Sequence, residues 1–215
     1  MTAGRPFGRD LTPTGAWTIF AVLVAASLIS GIGASFPRNT WLQVGPTILF
    51  AAAVPWLARR IPLSETAWAM ISGFLLVHLF AAHWTYSNVP YQEWLAAVGI
   101  DSVGMLGSDR NMFDRIVHFI FGLLVVRPMI EMEVRWAGLA MRPARRVAIL
   151  FVLASSALYE IFEWTLAILM SPEAAEAYNG QQGDGFDAQK DMLLAFLGAL
   201  IALPWANRQL KTVSD

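Results

Sequence analysis

Histidines and carboxylates stand inside long apolar stretches of this sequence, where ionisable side chains are uncommon. Such a group inside a bilayer costs about 2.5–3.5 kcal/mol on insertion scales, so it usually marks a function. The side chains that could do chemistry are His78, His83, Tyr86, Asp114, Arg115, His118, Glu160, Glu163, Asp184, Asp187 and Asp191. Asp114 and His118 are spaced i,i+4, and Glu160 and Glu163 i,i+3, so each pair shares one face of a helix.

Imidazole and carboxylate groups together can bind a divalent cation or move protons. Histidine suits Zn, Fe or Mn, and carboxylate suits Mg, Ca or Mn, so one Zn, Mn or Mg ion is a candidate cofactor. The candidate metal ligands are His83, His118, Glu160, Glu163, Asp187 and Asp191. The candidate catalytic residues are Asp114, His118, Glu160 and Glu163, and the candidate substrate-binding residues are Tyr86, Arg115, Asp184 and Gln189. No compact zinc motif such as His-Glu-x-x-His is present, so acid/base catalysis without a metal stays open as an alternative.

The composition says what kind of elements must position these residues. The chain has 215 residues, of which 56% are hydrophobic and only 14% are charged, against about 25% charged in an ordinary soluble domain. The sequence contains no cysteine, which excludes a disulfide scaffold and thiolate ligands. A net charge of −1 offers no basic field for nucleic acid, so membrane lipid is the expected partner.

Apolar stretches of ~20 residues, the length that spans a bilayer, predict an all-α, polytopic membrane protein with six transmembrane helices. The predicted spans are 16–35, 41–58, 66–84, 113–131, 146–170 and 189–207. They form a single domain over 16–207, with an N-terminal tail of residues 1–15 and a C-terminal tail of residues 208–215. The first stretch is longer than the ~7–15 apolar residues of a signal peptide, so a retained helix is favoured over a cleaved one.

Basic residues flank the spans unevenly, which predicts the orientation. With the N-terminus inside, the residues on the cytoplasmic side are Arg5, Arg9, Arg59, Arg60, Arg135, Arg142, Arg145, Arg146, Arg208 and Lys211, with Arg127 near that end of its helix. The outer ends carry Arg38, Arg110, Arg115 and Lys190 and the acids Glu93, Asp101, Asp109, Glu173, Glu176, Asp184 and Asp187. Both termini are therefore predicted to be cytoplasmic, in a bacterial inner membrane. The connection from Glu131 to Arg146 is expected on the inner surface, against anionic head groups.

Helical rise places the ionisable residues at one depth. Glu160 lies 14 residues beyond Arg146, hence about 21 Å from the inner boundary, and Glu163 about 26 Å. In a hydrocarbon core of about 30 Å both belong to the outer third, level with Asp114 and Asp191 at the outer ends of their helices. Four helices thus bring acid or imidazole groups together, which predicts an outward-facing intramembrane polar site.

Two details of this site depend on which way side chains point. His78 and His83 are five residues apart and point about 140° away from each other, so only one can face the site. We predict His83, and interpret His78 as a histidine that bonds two helices together. Residues 179–187 are predicted to form a re-entrant or capping loop that delivers Asp184 and Asp187, although Asp187 is equally suited to cap the last helix.

Four segments resemble a known family. They are residues 83–90 (HWTYSNVP), 113–119 (FDRIVHF), 159–164 (YEIFEW) and 183–192 (GDGFDAQKDM). In this order they resemble the signature of the YjdF-like bacterial inner-membrane proteins. The spacing and order of the Asp-x-x-x-His, Glu-bearing and Asp-bearing helices are also similar, more weakly, to VanZ-like membrane proteins. Both resemblances imply the architecture and neither implies a particular reaction.

The hypothesis that follows is an enzyme acting on a lipid or lipid-linked substrate, which enters sideways from the outer leaflet. Its chemistry would be acid/base or metal-assisted. A transporter of protons, ions or a small solute is the first alternative, against which stands the absence of an ionisable series in the inner half. The second alternative is a structural or partner-binding membrane subunit, whose polar groups only hold helices together.

Overall fold

The computed structural model describes residues 7–210, apart from the side chains of Leu106 and of residues 207–210. Within this range the chain forms nine helices and no strand. The helices are α1 (Pro13–Gly31), α2 (Pro37–Arg60), α3 (Glu65–His83), α4 (Tyr91–Ala97), α5 (Ser102–Leu106), α6 (Phe113–Arg135), α7 (Met141–Leu169), α8 (Pro172–Asn179) and α9 (Asp187–Leu210). The all-α prediction is confirmed. Arg5, Lys211 and the outer parts of both predicted tails lie outside the described residues.

Five helices are long and apolar enough to cross a membrane, namely α1, α2, α3, α7 and α9. Each agrees within a few residues with one of the predicted spans. The remaining predicted span, 113–131, corresponds to α6, which has a similar length but carries buried charged groups: Asp114, Arg127 and Glu131 are each at most 6% exposed. Helix α6 is therefore set apart by its charge and by its burial among the other helices.

The inner end of α6 corrects one prediction. Glu131 was expected in a connection on the inner surface, but the helix continues to Arg135 and the Glu131 side chain is 0% exposed. Its carboxylate accepts hydrogen bonds from the backbone N–H of Ser64 (2.6 Å), from the Ser64 hydroxyl (2.8 Å) and from Arg135 Nη1 (3.0 Å). Arg127 Nη1 lies 3.5 Å from the same carboxylate. Because Ser64 immediately precedes α3, its two hydrogen bonds to Glu131 hold the inner end of α6 against the start of α3.

Helix α6 lies at the centre of the bundle, packed against α3, α7 and α9. Its approach to α9 is unusually close: a Cβ at Gly122 would lie 1.8 Å from the backbone oxygen of Ala195, and one at Gly198 would lie 2.1 Å from the backbone oxygen of Phe119. Small residues allow this contact, as they do between helices in membranes generally. The pairing fixes the register of α6 and α9, whose first turns carry the ionisable residues. We call the end of the bundle at which α6 and α9 begin the outer end, following the predicted orientation.

Candidate functional site

Four buried ionisable side chains from three helices meet at the outer end of the bundle. Asp114 and His118 project from one face of α6, Asp191 from the first turns of α9 and Glu160 from α7. One ligand atom each of Asp114, His118 and Asp191 lies within 4.8 Å of the others, and all three residues are at most 7% exposed. His118 Nε2 is central, 3.8 Å from Asp114 Oδ1 and 3.6 Å from Glu160 Oε1. We call these four residues the outer cluster.

Two oxygens of the outer cluster lack hydrogen-bond partners among the described residues. They are Glu160 Oε1 and Asp191 Oδ1, both buried, and the nearest cation to Asp191 Oδ1 is Arg115 Nε at 4.0 Å. A buried polar atom without a partner costs about 1–3 kcal/mol, so native structures seldom keep one without a reason. By contrast, both carboxylate oxygens of Glu131, at the inner end, accept hydrogen bonds. The buried carboxylate at the inner end of α6 is therefore fully hydrogen-bonded, whereas the outer cluster keeps two unpartnered carboxylate oxygens.

Tyrosines connect the outer cluster to its surroundings. The Tyr159 hydroxyl interacts with Glu163, Tyr86 and Tyr178, and the Tyr159 ring lies 5.8 Å from the His118 ring, centroid to centroid. His78 Nδ1 shares a hydrogen bond with the Tyr86 hydroxyl. Burial, reinforced by nearby carboxylates, raises the pKa of Tyr86 and of Tyr178, so both keep their protons and can donate hydrogen bonds at neutral pH.

The backbone that carries Tyr86 is strained. Thr85 and Tyr86 have φ angles of 49° and 59°, in the left-handed region that non-glycine residues seldom adopt. Both side chains are buried, and the Thr85 hydroxyl accepts a hydrogen bond from the Asn88 amide at 3.0 Å. This turn after α3 directs the Tyr86 hydroxyl into the site. Strain of this kind persists where the surroundings demand one geometry, as they do at functional sites.

An arginine-clamped loop covers the outer cluster from outside. Arg110 Nη2 contacts Asp187 Oδ1 at 2.5 Å, and Arg115 Nη2 contacts Asp184 Oδ2 at 2.6 Å and Asp187 Oδ1 at 3.1 Å. Gln182 exchanges hydrogen bonds with the backbone of Asn111 at 2.9 and 3.1 Å. The connection between α8 and α9 therefore lies over the outer cluster, and its Asp184, with Asp187 at the start of α9, contacts two arginines, whereas the predicted loop delivers both carboxylates to the site.

Asp184, at the centre of that loop, has a strongly perturbed carboxyl group. Hydrogen bonds from Lys190 Nζ and from the backbone N–H of Phe186, with a further one from Arg115, hold its pKa well below the usual range. Asp184 therefore stays ionised and keeps the loop tied down at any physiological pH.

A cavity of about 630 Å³ begins at the outer cluster and extends toward the middle of the bundle. It lies between α2, α3, α6 and α7, and most of its wall is apolar. Its polar groups include His78, Tyr86, His118, Tyr159 and Tyr178. The volume is that of typical ligand pockets, which run from about 300 to 1,000 Å³. His118 belongs to both the outer cluster and the cavity wall, so a bound molecule would contact the ionisable groups directly.

Among the predicted site residues, the structure brings Asp114, His118, Glu160 and Asp191 together and places Glu163 and Tyr86 beside them. The predicted choice of histidine needs correction. His83 lies outside the site, because its Nδ1 contacts the backbone oxygen of Ser30 at 2.9 Å on the α1 side of α3. His78 lines the cavity instead, and its Nε2 also contacts the Gln43 backbone oxygen at 3.2 Å, which agrees with its interpretation as a histidine that bonds two helices together.

Gln189 is exposed, because two residues beyond Asp187 the helical period turns a side chain to the opposite face of α9. Asp187 and Asp184, predicted as metal-binding and substrate-binding residues respectively, are engaged by the arginines described above. Neither is therefore free to act on a ligand while the loop is closed.

Several site residues were missed from the sequence. Tyr159 precedes Glu160 and is spaced i,i+4 with Glu163, a signal that the helical period offered. Arg110 was interpreted only as an outer-end charge. Tyr178 lies on the short helix α8, whose contact with the site depends on the fold of the outer connection and had no signal in the sequence.

Comparison with known proteins gives one family and one curated relative. Residues 15–212 match the family DUF2238, which is described as a predicted membrane protein. The inner membrane protein YjdF of Escherichia coli (strain K12) is 34% identical over 204 residues, which cover 93% of this chain and 92% of that protein. No solved structure matches the chain. These findings confirm the YjdF-like resemblance, whereas the VanZ-like similarity stays a prediction.

Proposed function

The chain belongs to the DUF2238 family of membrane proteins, and we propose that it is an enzyme acting on a lipid or lipid-linked substrate at the outer cluster. It is a multi-pass protein of the inner membrane. The observation that carries the proposal is the contact between the outer cluster, with its two unpartnered carboxylate oxygens, and an apolar cavity that shares His118 with it. If the polar groups only held helices together, we would expect every carboxylate oxygen to be hydrogen-bonded, as the Glu131 oxygens are.

We further propose that α6 is a sixth span and that both termini are cytoplasmic. A 23-residue helix is about 35 Å long, enough to cross a hydrocarbon core of about 30 Å. Its charged groups are buried against other helices, which is the way intramembrane charges are accommodated. With six spans both termini lie on one side, and the positive-inside rule assigns that side to the cytoplasm.

The side chains suit acid/base chemistry at His118. Its Nε2 faces Asp114 and Glu160, so a proton taken up by the imidazole is stabilised on both sides. The Tyr159, Tyr86 and Tyr178 hydroxyls lie beside it as hydrogen-bond donors for an oxygen that gains charge during the reaction. The Glu163 carboxylate interacts with the Tyr159 hydroxyl and so positions the Tyr159 side chain.

The outer cluster also fits a divalent cation. One imidazole and three carboxylates suit Mn, Zn or Mg, and the two unpartnered oxygens are what a cation would bind. Asp114, His118, Asp191 and Glu160 would hold it. Compared with the predicted ligand set, this set adds Asp114 and leaves out His83, Glu163 and Asp187. Such a cation would polarise a carbonyl or phosphoryl oxygen, or activate water.

The experiment is lipid conversion by the purified protein. Wild type and the His118→Ala, Glu160→Gln and Glu163→Gln variants are incubated with inner-membrane lipid extract and with polyprenyl phosphate. Each reaction contains Mn, Zn or Mg, and mass spectrometry follows the lipids. We expect wild type to convert one lipid, and His118→Ala and Glu160→Gln to lose at least 99% of that activity, as loss of a general acid or base typically costs 10²–10⁴-fold. Glu163→Gln should also lose activity, because the variant no longer positions Tyr159.

His83→Ala is the matched control, since it removes the same side chain from the α1 side of α3 and should leave conversion unchanged. Elemental analysis of the same samples separates the two chemistries: metal bound to wild type and lost from His118→Ala indicates metal-assisted catalysis. If none of the lipids is converted, or if His118→Ala is as active as wild type, the proposal is overturned.

A further inference from the structure

Two polar side chains of the cavity wall are buried with nothing to bond to. Gln43 on α2 and Ser156 on α7 are 4% and 2% exposed, and both line the cavity. Among the described residues, neither the Gln43 amide nitrogen, nor its amide oxygen, nor the Ser156 hydroxyl has a hydrogen-bond partner. Three such atoms in one cavity point to a ligand that carries its own polar group at that level.

The level is just beneath the outer cluster. The Gln43 backbone oxygen is 3.2 Å from His78 Nε2, and His78 in turn contacts Tyr86. Gln43 therefore lies beside the polar end of the cavity, the end nearest the outer cluster. Ser156 lies one helical turn inward from Glu160, about 6 Å along α7. A molecule whose head reaches the outer cluster would therefore place its first few atoms below the head between Gln43 and Ser156.

The cavity opens sideways. Leu42 on α2 and Leu158 and Phe162 on α7 line it and are also 40%, 66% and 41% exposed on the outside of the bundle. Helix α2 packs against α1, α3 and α8, whereas α7 packs against α6, α8 and α9, so the cavity lies between two helices that share no extended interface. Since these exposed faces belong to apolar spans, the opening faces hydrocarbon, and the clamped loop closes the route from outside.

We propose that the cavity binds one acyl chain of an outer-leaflet lipid and that Gln43 and Ser156 hydrogen-bond to the ester or amide group joining that chain to its head. A carbonyl accepts from both the Gln43 amide and the Ser156 hydroxyl, and an amide nitrogen can donate to Gln43 Oε1. A polyisoprenyl chain has no polar group at that level and would leave all three atoms unpartnered. The inference rests on the proposed lipid substrate and narrows it to acyl lipids.

The test compares phosphatidylethanolamine in its diester and diether forms, with identical chains, added to the full-length protein in dodecyl maltoside. The ether form lacks only the carbonyls. Ligand binding raises the melting temperature in proportion to the logarithm of ligand concentration over Kd, so the lipid concentration giving a fixed shift reports relative affinity. One or two hydrogen bonds to the carbonyl should make the diester roughly three- to tenfold tighter.

Gln43→Leu and Ser156→Ala should each reduce this preference for the diester, and together abolish it. Both should fold, because each replaces an unpartnered buried group with an apolar one of similar shape. Thr47→Val is the matched control: Thr47 lines the same cavity one turn further along α2, and its variant should keep the preference.

Equal affinity of wild type for the two forms overturns the inference, and so does a preference that survives in the double variant. Either result leaves the lipid-conversion test at His118 untouched, because these variants do not alter the outer cluster. The two proposals can therefore fail separately.

Discussion

Replacing Gly122 with alanine should force α6 and α9 apart. The new Cβ would lie 1.8 Å from the backbone oxygen of Ala195, whereas ordinary contact begins at 3.4 Å, so the backbones must separate by about 1.6 Å, the difference between the two distances. The obstacle is backbone of the facing helix, which cannot rotate away as a side chain could. Overpacking of this kind costs about 1–3 kcal/mol of stability.

The same displacement should reach the outer cluster. His118 lies one turn from Gly122 on α6, and Asp191 lies one turn from Ala195 on α9. The side chains of His118 and Asp191 therefore move apart when the two helices separate. A misplacement of about 1 Å can cost roughly 10²-fold in rate, because catalytic groups act over hydrogen-bond distances. We expect Gly122→Ala to lose about 99% of the lipid-conversion activity while still folding.

Thermal unfolding in detergent and the lipid-conversion assay check this prediction, with Gly45→Ala as the control. A Cβ at Gly45 would meet nothing within 4 Å, so that variant tests the change of residue type without a clash. If Gly122→Ala unfolds at the same temperature as Gly45→Ala and retains its activity, then α6 and α9 are not in the close contact that positions the outer cluster, and the reasoning is refuted.

Two further predictions concern the ends of α6. Glu131→Ala should lower the free energy of unfolding by about 3–5 kcal/mol, because it removes the buried carboxylate that Arg127 and Arg135 contact. The control Glu133→Ala should lower it far less, and denaturant titration in micelles compares the two variants. Arg110→Ala should loosen the capping loop and speed proteolytic cleavage near Gly183 severalfold, whereas the control Arg38→Ala should be cleaved at the wild-type rate. Equal cleavage rates for the two variants would show that Arg110 does not hold the loop.

The long helices were predictable because apolar length alone specifies a membrane-crossing segment. The end of α6 was not, since the charged residues after Ile130 are typical of an interfacial connection. The burial of Glu131 depends in part on hydrogen bonds from Ser64, which only the fold brings to it. The short helices α4, α5 and α8 were also missed. They lie in connections whose polar and apolar residues alternate too briefly to indicate a helix by period.

The candidate site was predictable in its depth and in its principal residues, because helical rise and the i,i+4 spacing are local properties. The choice between His78 and His83 was not, since it depends on which face of α3 packs against α1. The backbone oxygen of Ser30 on α1 accepts a hydrogen bond from His83 Nδ1 at 2.9 Å only because the fold brings α1 there. The Gln43 amide carried a signal that could have been used, a polar side chain within a predicted apolar span.

The middle of α6 argues for access from one side, and hence for an enzyme over a conduit. His118 and Glu131 are 13 residues apart, about 20 Å along the helix. Between them α6 presents Gly122 and Val126 to Ala199 of α9 in a core of fully buried apolar side chains. A proton or ion crossing the protein would need polar partners through this section, because an ionisable group in hydrocarbon is costly. The buried charges at the inner end are engaged by Ser64 and by one another, which makes them an anchor for α6. Under the proposed function, a substrate would therefore reach the outer cluster only through the lateral opening, and its product would leave by the same route.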